Sequence, residues 1–328
     1  MRDHGGNLDM AMARHGGEGW IDLSTGINRR PYALPCLPHS AWASLPTKTE
    51  QERLIVTAQR AWHVAPATKA VALAGAQAAI QLVPLLRKSG QARVLTPTYN
   101  EHAASLKARG WKVTESADLA ALEGADLAVL VNPNNPDGRT WLPNSLLGLA
   151  AKVGFLVVDE SFADATPALS LLPHALPENV LVLRSFGKFY GLAGLRLGFA
   201  FGAEPTIARL AEMAGPWPVS GSGLHIGAVA LDDAHWAETM RAQLAEDATR
   251  CDALAAHAGW TLQGGTSLFR LYHTPDAKAA QDHLASHRIW SRIFPWSFNW
   301  IRLGLPGAEA EWLRLEAAMK DQPSPRAG

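Results

Sequence analysis

The sequence predicts an α/β protein: a mostly parallel central sheet with helices on both faces, joined to a smaller α+β domain. Short apolar runs alternate with longer amphipathic stretches through the middle of the 328-residue chain. That alternation is the pattern of strand–helix units in a parallel sheet. The apolar runs are continuous rather than alternating, as strands buried on both faces require. The residues able to do chemistry follow the ends of these runs, where ligands of such sheets collect.

The first predicted strand is residues 70–73, Ala-Val-Ala-Leu, closed by Gly75 before a helix over 77–88. The second, 93–96, leads into a helix over 101–109. A third, 127–131, ends at the turn residues 132–138 and is followed by a helix over 142–153. Strands at 155–158, 180–183 and 197–201 complete the set, each with β-branched or bulky apolar side chains that fit a pleated, buried surface. A long helix over 234–258 carries Trp236, Met240, Leu244, Ala248 and Cys251 along one side. After it come a strand (267–272), a helix (277–287) and strands at 289–294 and 300–305. These boundaries predict a large α/β domain at 46–215 and a small domain built from both chain ends, 1–45 and 216–320. The proline-containing stretch 321–328 reads as a disordered tail.

Acidic and basic residues number 30 each, so nothing suggests nucleic-acid or anionic-membrane binding. No apolar run approaches the ~18 residues of a membrane helix, and the start lacks an apolar signal core. Cys36 and Cys251 lie far apart and match no metal spacing, which suits a reducing cytoplasm. His283 and His287 are four apart on a predicted helix but lack a third ligand, so no metal is expected.

Arg184-Ser-Phe-Gly-Lys-Phe-Tyr-Gly-Leu-Ala-Gly-Leu-Arg196 is the most informative stretch. Lys188 follows an apolar strand in a loop of small residues, with a hydroxyl three residues before it and an arginine eight after. An ε-amine used as a nucleophile must lose its proton, which desolvation or nearby positive charge promotes. Asp159 closes the buried run 155–159, a costly place for a carboxylate without a partner. Asn132-Pro-Asn-Asn-Pro-Asp-Gly138 holds amide side chains in a tight turn. Gly75-Ala76-Gln77 opens a helix whose N-terminal N–H groups suit an anion.

Together these segments resemble the fold-type I pyridoxal-phosphate enzymes, with their S-x-x-K, G-L-x-G-x-R and N-P-x-N-P-[TD]-G motifs. The resemblance implies that fold, pyridoxal 5'-phosphate as cofactor, and Lys188 as its covalent anchor. It gives Asp159 to the pyridine nitrogen, Asn135 to the phenolic oxygen, and Gly75, Ala76, Gln77, Ser185 and Arg196 to the phosphate. Pro97-Thr-Tyr-Asn-Glu-His102 matches P-x-[YF]-x-x-Y, which implies that His102 stacks on the ring. Two family tyrosines are missing: Phe162 stands at one place, with Tyr190 a substitute, and Leu45 lies where a dimer partner's tyrosine belongs. A homodimer is implied nonetheless.

The opening His4-Gly-Gly-Asn7, followed by Ser24-Thr-Gly-Ile-Asn28, resembles that of the L-threonine O-3-phosphate decarboxylases of cobalamin biosynthesis. This implies a phosphorylated amino acid as substrate, with His4 on its phosphate and Asn28 nearby. Arg302 matches the family's carboxylate-binding arginine, in a shortened Arg-Leu-Gly form, and Arg292 an additional arginine of the decarboxylase group. Guanidinium groups suit either anion. Gly215-Pro-Trp-Pro-Val-Ser220 resembles a pocket-flanking segment, making Trp217 a wall and Ser220 a polar contact. The alternative is an aminotransferase of the histidinol-phosphate or aromatic type. A non-catalytic cofactor-binding regulator would need a DNA-binding module, for which the chain has neither room nor basic segment.

Overall fold

The computed structural model describes residues 4–321. It comprises two compact units, one of residues 32–135 and 139–238, the other of the residues before 32, 136–138 and those from 239 onward.

The larger unit is built on seven strands: β1 (Lys69–Leu73), β2 (Gln91–Leu95), β3 (Lys112–Ser116), β4 (Leu127–Val131), β5 (Leu156–Asp159), β6 (Val180–Ser185) and β7 (Gly198–Gly202). Their order across the sheet is β1-β7-β6-β5-β4-β2-β3. All neighbours run parallel except β7, which is antiparallel to both β1 and β6. Every residue of β4 and β5 is buried, as their unbroken apolar sequences require. One face packs Val129, Val157, Leu181 and Leu183 against Ile80, Leu106, Trp111 and Leu210. Each such side chain contributes about 1.5–3 kcal/mol relative to exposure.

The ends of β5 and β6 carry a buried ion network. Arg184 donates to Glu160 at 3.1 Å and to Asp164 at 2.7 Å, while Trp62 Nε1 donates to Asp164 at 2.7 Å. Ser170 Oγ and the Leu171 N–H satisfy the remaining Glu160 lone pairs. Burial still pushes the Glu160 carboxyl upward, against the Arg184 charge and these bonds.

The smaller unit contains a four-stranded antiparallel sheet of β8 (Thr261–Thr266), β9 (Phe269–His273), β10 (Arg292–Phe294) and β11 (Ser297–Gly304), ordered β10-β11-β9-β8. Ile21–Asp22 pairs in parallel with Ile289–Trp290. The helix Leu8–His15 packs Ala11 against Ala285 and Trp290. Gly264 and Gly265 of β8 lie so close to the 137–138 backbone that a Cβ at Gly264 would meet the Asp137 carbonyl at 2.0 Å.

Three segments depart from the predicted division: residues 136–138, expected in the large domain, belong to the smaller unit. Residues 32–45 and 216–238 belong to the larger unit. The helix Gly221–Asp232 buries Leu224, Ile226, Ala228, Ala230 and Leu231, and Gly227 lies against Leu54 and Leu197. Tyr32 donates its N–H to the Tyr190 carbonyl and sets its ring edge-on against Trp236. The predicted tail, from residue 322 on, lies outside the described residues. The strands β3 and β8 were not predicted. Both are sheet edges with largely exposed, polar sequences, so neither carries an apolar run.

Candidate active site

The carboxyl ends of β4, β5 and β6 converge, within the larger unit, on a cavity of about 210 Å3. Gly75, Ala76, Gln77, Asn135, Asp159, Ser185, Lys188 and Arg196 all line it, together with Tyr99, Ser161 and Phe162. Each arrives by a local cause. Gly75 has φ +81°, a conformation that few residues other than glycine adopt, and a Cβ there would stand 2.9 Å from the Arg196 guanidinium. Gln77 is held from two directions, donating to Glu101 at 3.2 Å and accepting from the Tyr99 hydroxyl at 3.1 Å. Asn134 fixes the turn before Asn135 by accepting from Thr98 at 2.7 Å and donating to the Pro97 carbonyl at 2.8 Å. Arg196 takes a left-handed φ of 54° at the return from the Lys188 loop into β7.

Asp159 is the best-held group. One carboxylate oxygen accepts from the Ser161 N–H at 2.9 Å and from the Ser161 hydroxyl; the other lies 2.9 Å from His102 Nε2. Burial raises its pKa, but the bonds and charge of His102 and the Ser161 bonds outweigh this and hold the carboxyl below the usual range. Asp159 is therefore a fixed anion facing the cavity.

His102 departs from expectation. It is buried against Asp159 and does not line the cavity, whereas Tyr99, three residues earlier, does. A ring committed to the carboxylate behind the pocket is not the ring that faces it. The Tyr190 ring is stacked between Phe186, at 4.4 Å, and Trp236, at 5.3 Å, and is not among the residues lining the cavity. Phe162 does reach the cavity, with Lys188 Nζ 5.9 Å above its ring. Trp217 is half-exposed and lines no cavity described here, because the Gly215 turn carries its segment along the surface. Ser220 caps the helix Gly221–Asp232, accepting from the Gly223 N–H at 3.1 Å. His283 Nε2 contacts the Ala318 carbonyl at 2.8 Å. Among the described residues no group of three His, Cys, Asp or Glu is placed to hold a metal ion.

The smaller unit has a second cavity, also of about 210 Å3, lined by His4, Arg14, Ser24, Ser291 and Arg292 among others. Its construction explains the two glycines after His4. A Cβ on Gly5 would lie 2.3 Å from the Ser24 carbonyl oxygen, and Gly6, which donates its N–H to Ser24 Oγ at 2.7 Å, has a φ of +82° that favours glycine. The same carbonyl accepts from Arg302 Nη2 at 2.6 Å. Arg302 and Arg292 are cross-strand partners, a repulsive pairing. Burial, with the Arg292 charge added, pushes Arg302 down to about 9. Asn28 is buried nearby in sequence, its amide oxygen accepting from the Arg30 N–H at 2.9 Å, but it does not line this cavity.

Residues 52–326 match the family model "Aminotransferase class I and II". The chain belongs to this aminotransferase family. A threonine-phosphate decarboxylase of Pseudomonas aeruginosa is 40% identical over 97% of each chain. Among solved structures, a histidinol-phosphate aminotransferase of Sinorhizobium meliloti in complex with pyridoxal-5'-phosphate matches with a TM-score of 0.84, at 21% identity over 95% of this chain and 93% of that one. An L-threonine-O-3-phosphate decarboxylase of Porphyromonas gingivalis matches with a TM-score of 0.74, at 18% identity over 91% of this chain and 98% of that one. At those identities the two structures bear on the fold alone, and the fold is that of fold-type I. The aminotransferase-family cofactor is pyridoxal 5'-phosphate. The cavity of the larger unit fits it chemically, with an amine to anchor it, a fixed carboxylate, an amide, and a serine, an arginine and a helix start for its phosphate.

Tyr99 was expected beside the site as a residue following the second strand, and it lines the cavity. Ser161 is a cavity residue that sequence reasoning passed over, although a serine two after an aspartate suits a local side-chain turn. Arg14 left no such signal.

Proposed function

We propose that this protein decarboxylates L-threonine O-3-phosphate to (R)-1-amino-2-propanol O-2-phosphate and CO2, a step of cobalamin biosynthesis. The observation that carries the proposal is the sharing of one cavity by His4 and Arg292, beside Ser24, whose hydroxyl accepts from the Gly6 N–H and whose carbonyl accepts from Arg302. On this reading Arg292 and His4 take the substrate phosphate, Arg302 the α-carboxylate, and Asn28 stands close by.

In the larger unit, Lys188 would anchor the cofactor, Ser185, Arg196 and the 75–77 backbone would hold its phosphate, and Asn135 its phenolic oxygen. Asp159, kept ionised by His102 and Ser161, would hold a proton on the pyridine nitrogen. When bound, the pyridinium ring supplies an electron sink for the bond broken at the substrate's α-carbon. Lys188 would be the group available to deliver a proton to the substrate's α-carbon. Phosphate contacts far from the reacting carbon would fix the substrate's orientation about that carbon, and so decide between decarboxylation and amino transfer.

Purified holoenzyme should release CO2 from O-phosphothreonine without needing a 2-oxoacid. Amino transfer to a 2-oxoacid, with no CO2, would instead establish the aminotransferase alternative. His4→Ala should keep the cofactor linkage, seen as visible absorbance, while kcat/KM falls by about 10- to 100-fold. Unchanged kcat/KM would remove His4 from the phosphate site.

We also infer a homodimer. Leu34, Trp42, Leu45, Val56 and Trp217, all in the larger unit, are between 52% and 67% exposed, an unusual number of large apolar side chains to leave in water. Sedimentation velocity should give twice the chain mass of 35.2 kDa. Both cysteines are free thiols, which suits work in the cytoplasm.

A further inference from the structure

The cavity of the smaller unit contains two side chains that no sequence motif singles out for a role: Arg14 and Ser291. Arg14 lies in the last turn of the helix Leu8–His15. Ser291 is 1% exposed, and its hydroxyl has no hydrogen-bond partner among the described residues. A buried hydroxyl left unpaired is unfavourable, so a site with an oxygen-rich ligand would complete it. Among the described residues no carboxylate lines the cavity, while His4, Arg14 and Arg292 all do, with Trp290 and Phe294 as apolar walls.

We propose that Arg14 and Ser291 complete a site for a phosphate monoester and set the preference for a phosphorylated substrate over its unphosphorylated parent. This rests on the substrate reading above and adds two donors to it. A phosphate group presents three terminal oxygens, more acceptor sites than one arginine and one histidine can fill. Arg14 brings a second guanidinium and Ser291 a neutral hydroxyl donor, so the set matches a dianion in both charge and donor number. A hydroxyl or methyl in place of the phosphate would leave these donors facing one another in the cavity.

The test uses holoenzyme, whose own phosphate cup is filled by the cofactor, and inorganic phosphate as probe. Calorimetric titration should show phosphate binding weakened about tenfold by Arg14→Met and several-fold by Ser291→Ala. KM for O-phosphothreonine should rise in step, with KM for threonine itself unchanged. Arg14 is on an exposed helix surface, so Arg14→Met should fold normally even if Ser291→Ala does not. Unchanged phosphate affinity in folded Arg14→Met would overturn the proposal. Failure of wild-type enzyme to release CO2 would instead sink the substrate reading, and the phosphate titration would still decide the role of these two residues.

Discussion

Lys188→Ala should lose the visible absorbance of bound cofactor and retain less than about a thousandth of wild-type turnover. On the proposed reading two separate roles would disappear with this side chain: the covalent anchor and the only amine lining the cavity among the described residues. The fold should survive, because the side chain borders an open cavity and its loop is held by backbone bonds, such as Gly191 N–H to the Lys188 carbonyl at 3.3 Å. Borohydride reduction of wild-type holoenzyme followed by peptide mapping should place the label on Lys188. A label elsewhere would refute the assignment of this residue as anchor.

Asp159→Asn should lower kcat on the order of 10³-fold while leaving cofactor attached, because an amide cannot keep a proton on the ring nitrogen. Stability carries a second signature. A carboxyl whose folded pKa is depressed stabilises the fold above its unfolded value of about 3.9, and that contribution is lost as pH falls through the folded value. Asp159 is such a group. The apoprotein variant should therefore melt below wild type at neutral pH, with the gap closing as the pH falls beneath the ordinary carboxylate range. A constant gap across pH would mean that His102 and Ser161 do not hold this carboxylate ionised.

Much of the architecture could be read from the chain because buried strands announce themselves. The five residues of β4 are all apolar, and so are the three before Asp159 in β5. Residues locked to such strand ends by short turns, Asp159, Asn135, Ser185 and Lys188, come to the cavity as expected. What the chain hides is direction and company. The P-x-[YF]-x-x-Y match places Tyr99 and His102 correctly along the chain but does not say which ring turns inward. The segments 32–45 and 216–238 were grouped by position in the sequence, whereas packing against Leu54, Tyr190 and Leu197 decides their unit. Arg14 and Ser291 sit in different elements far apart in sequence, and only folding gathers them.

Asp159 and Ser185 end neighbouring strands beside Glu160 and Arg184, and the two pairs have opposite neighbours: one the cavity, the other the Trp62 and Asp164 cluster. Because strand side chains alternate, a slip of one position would exchange these partners. The guanidinium would then intrude where a cofactor must sit, and two carboxylates would be left in the interior without their cation. Charge thus proofreads the alignment of β5 with β6, and the catalytic layout inherits its accuracy from an ion cluster that never meets the substrate.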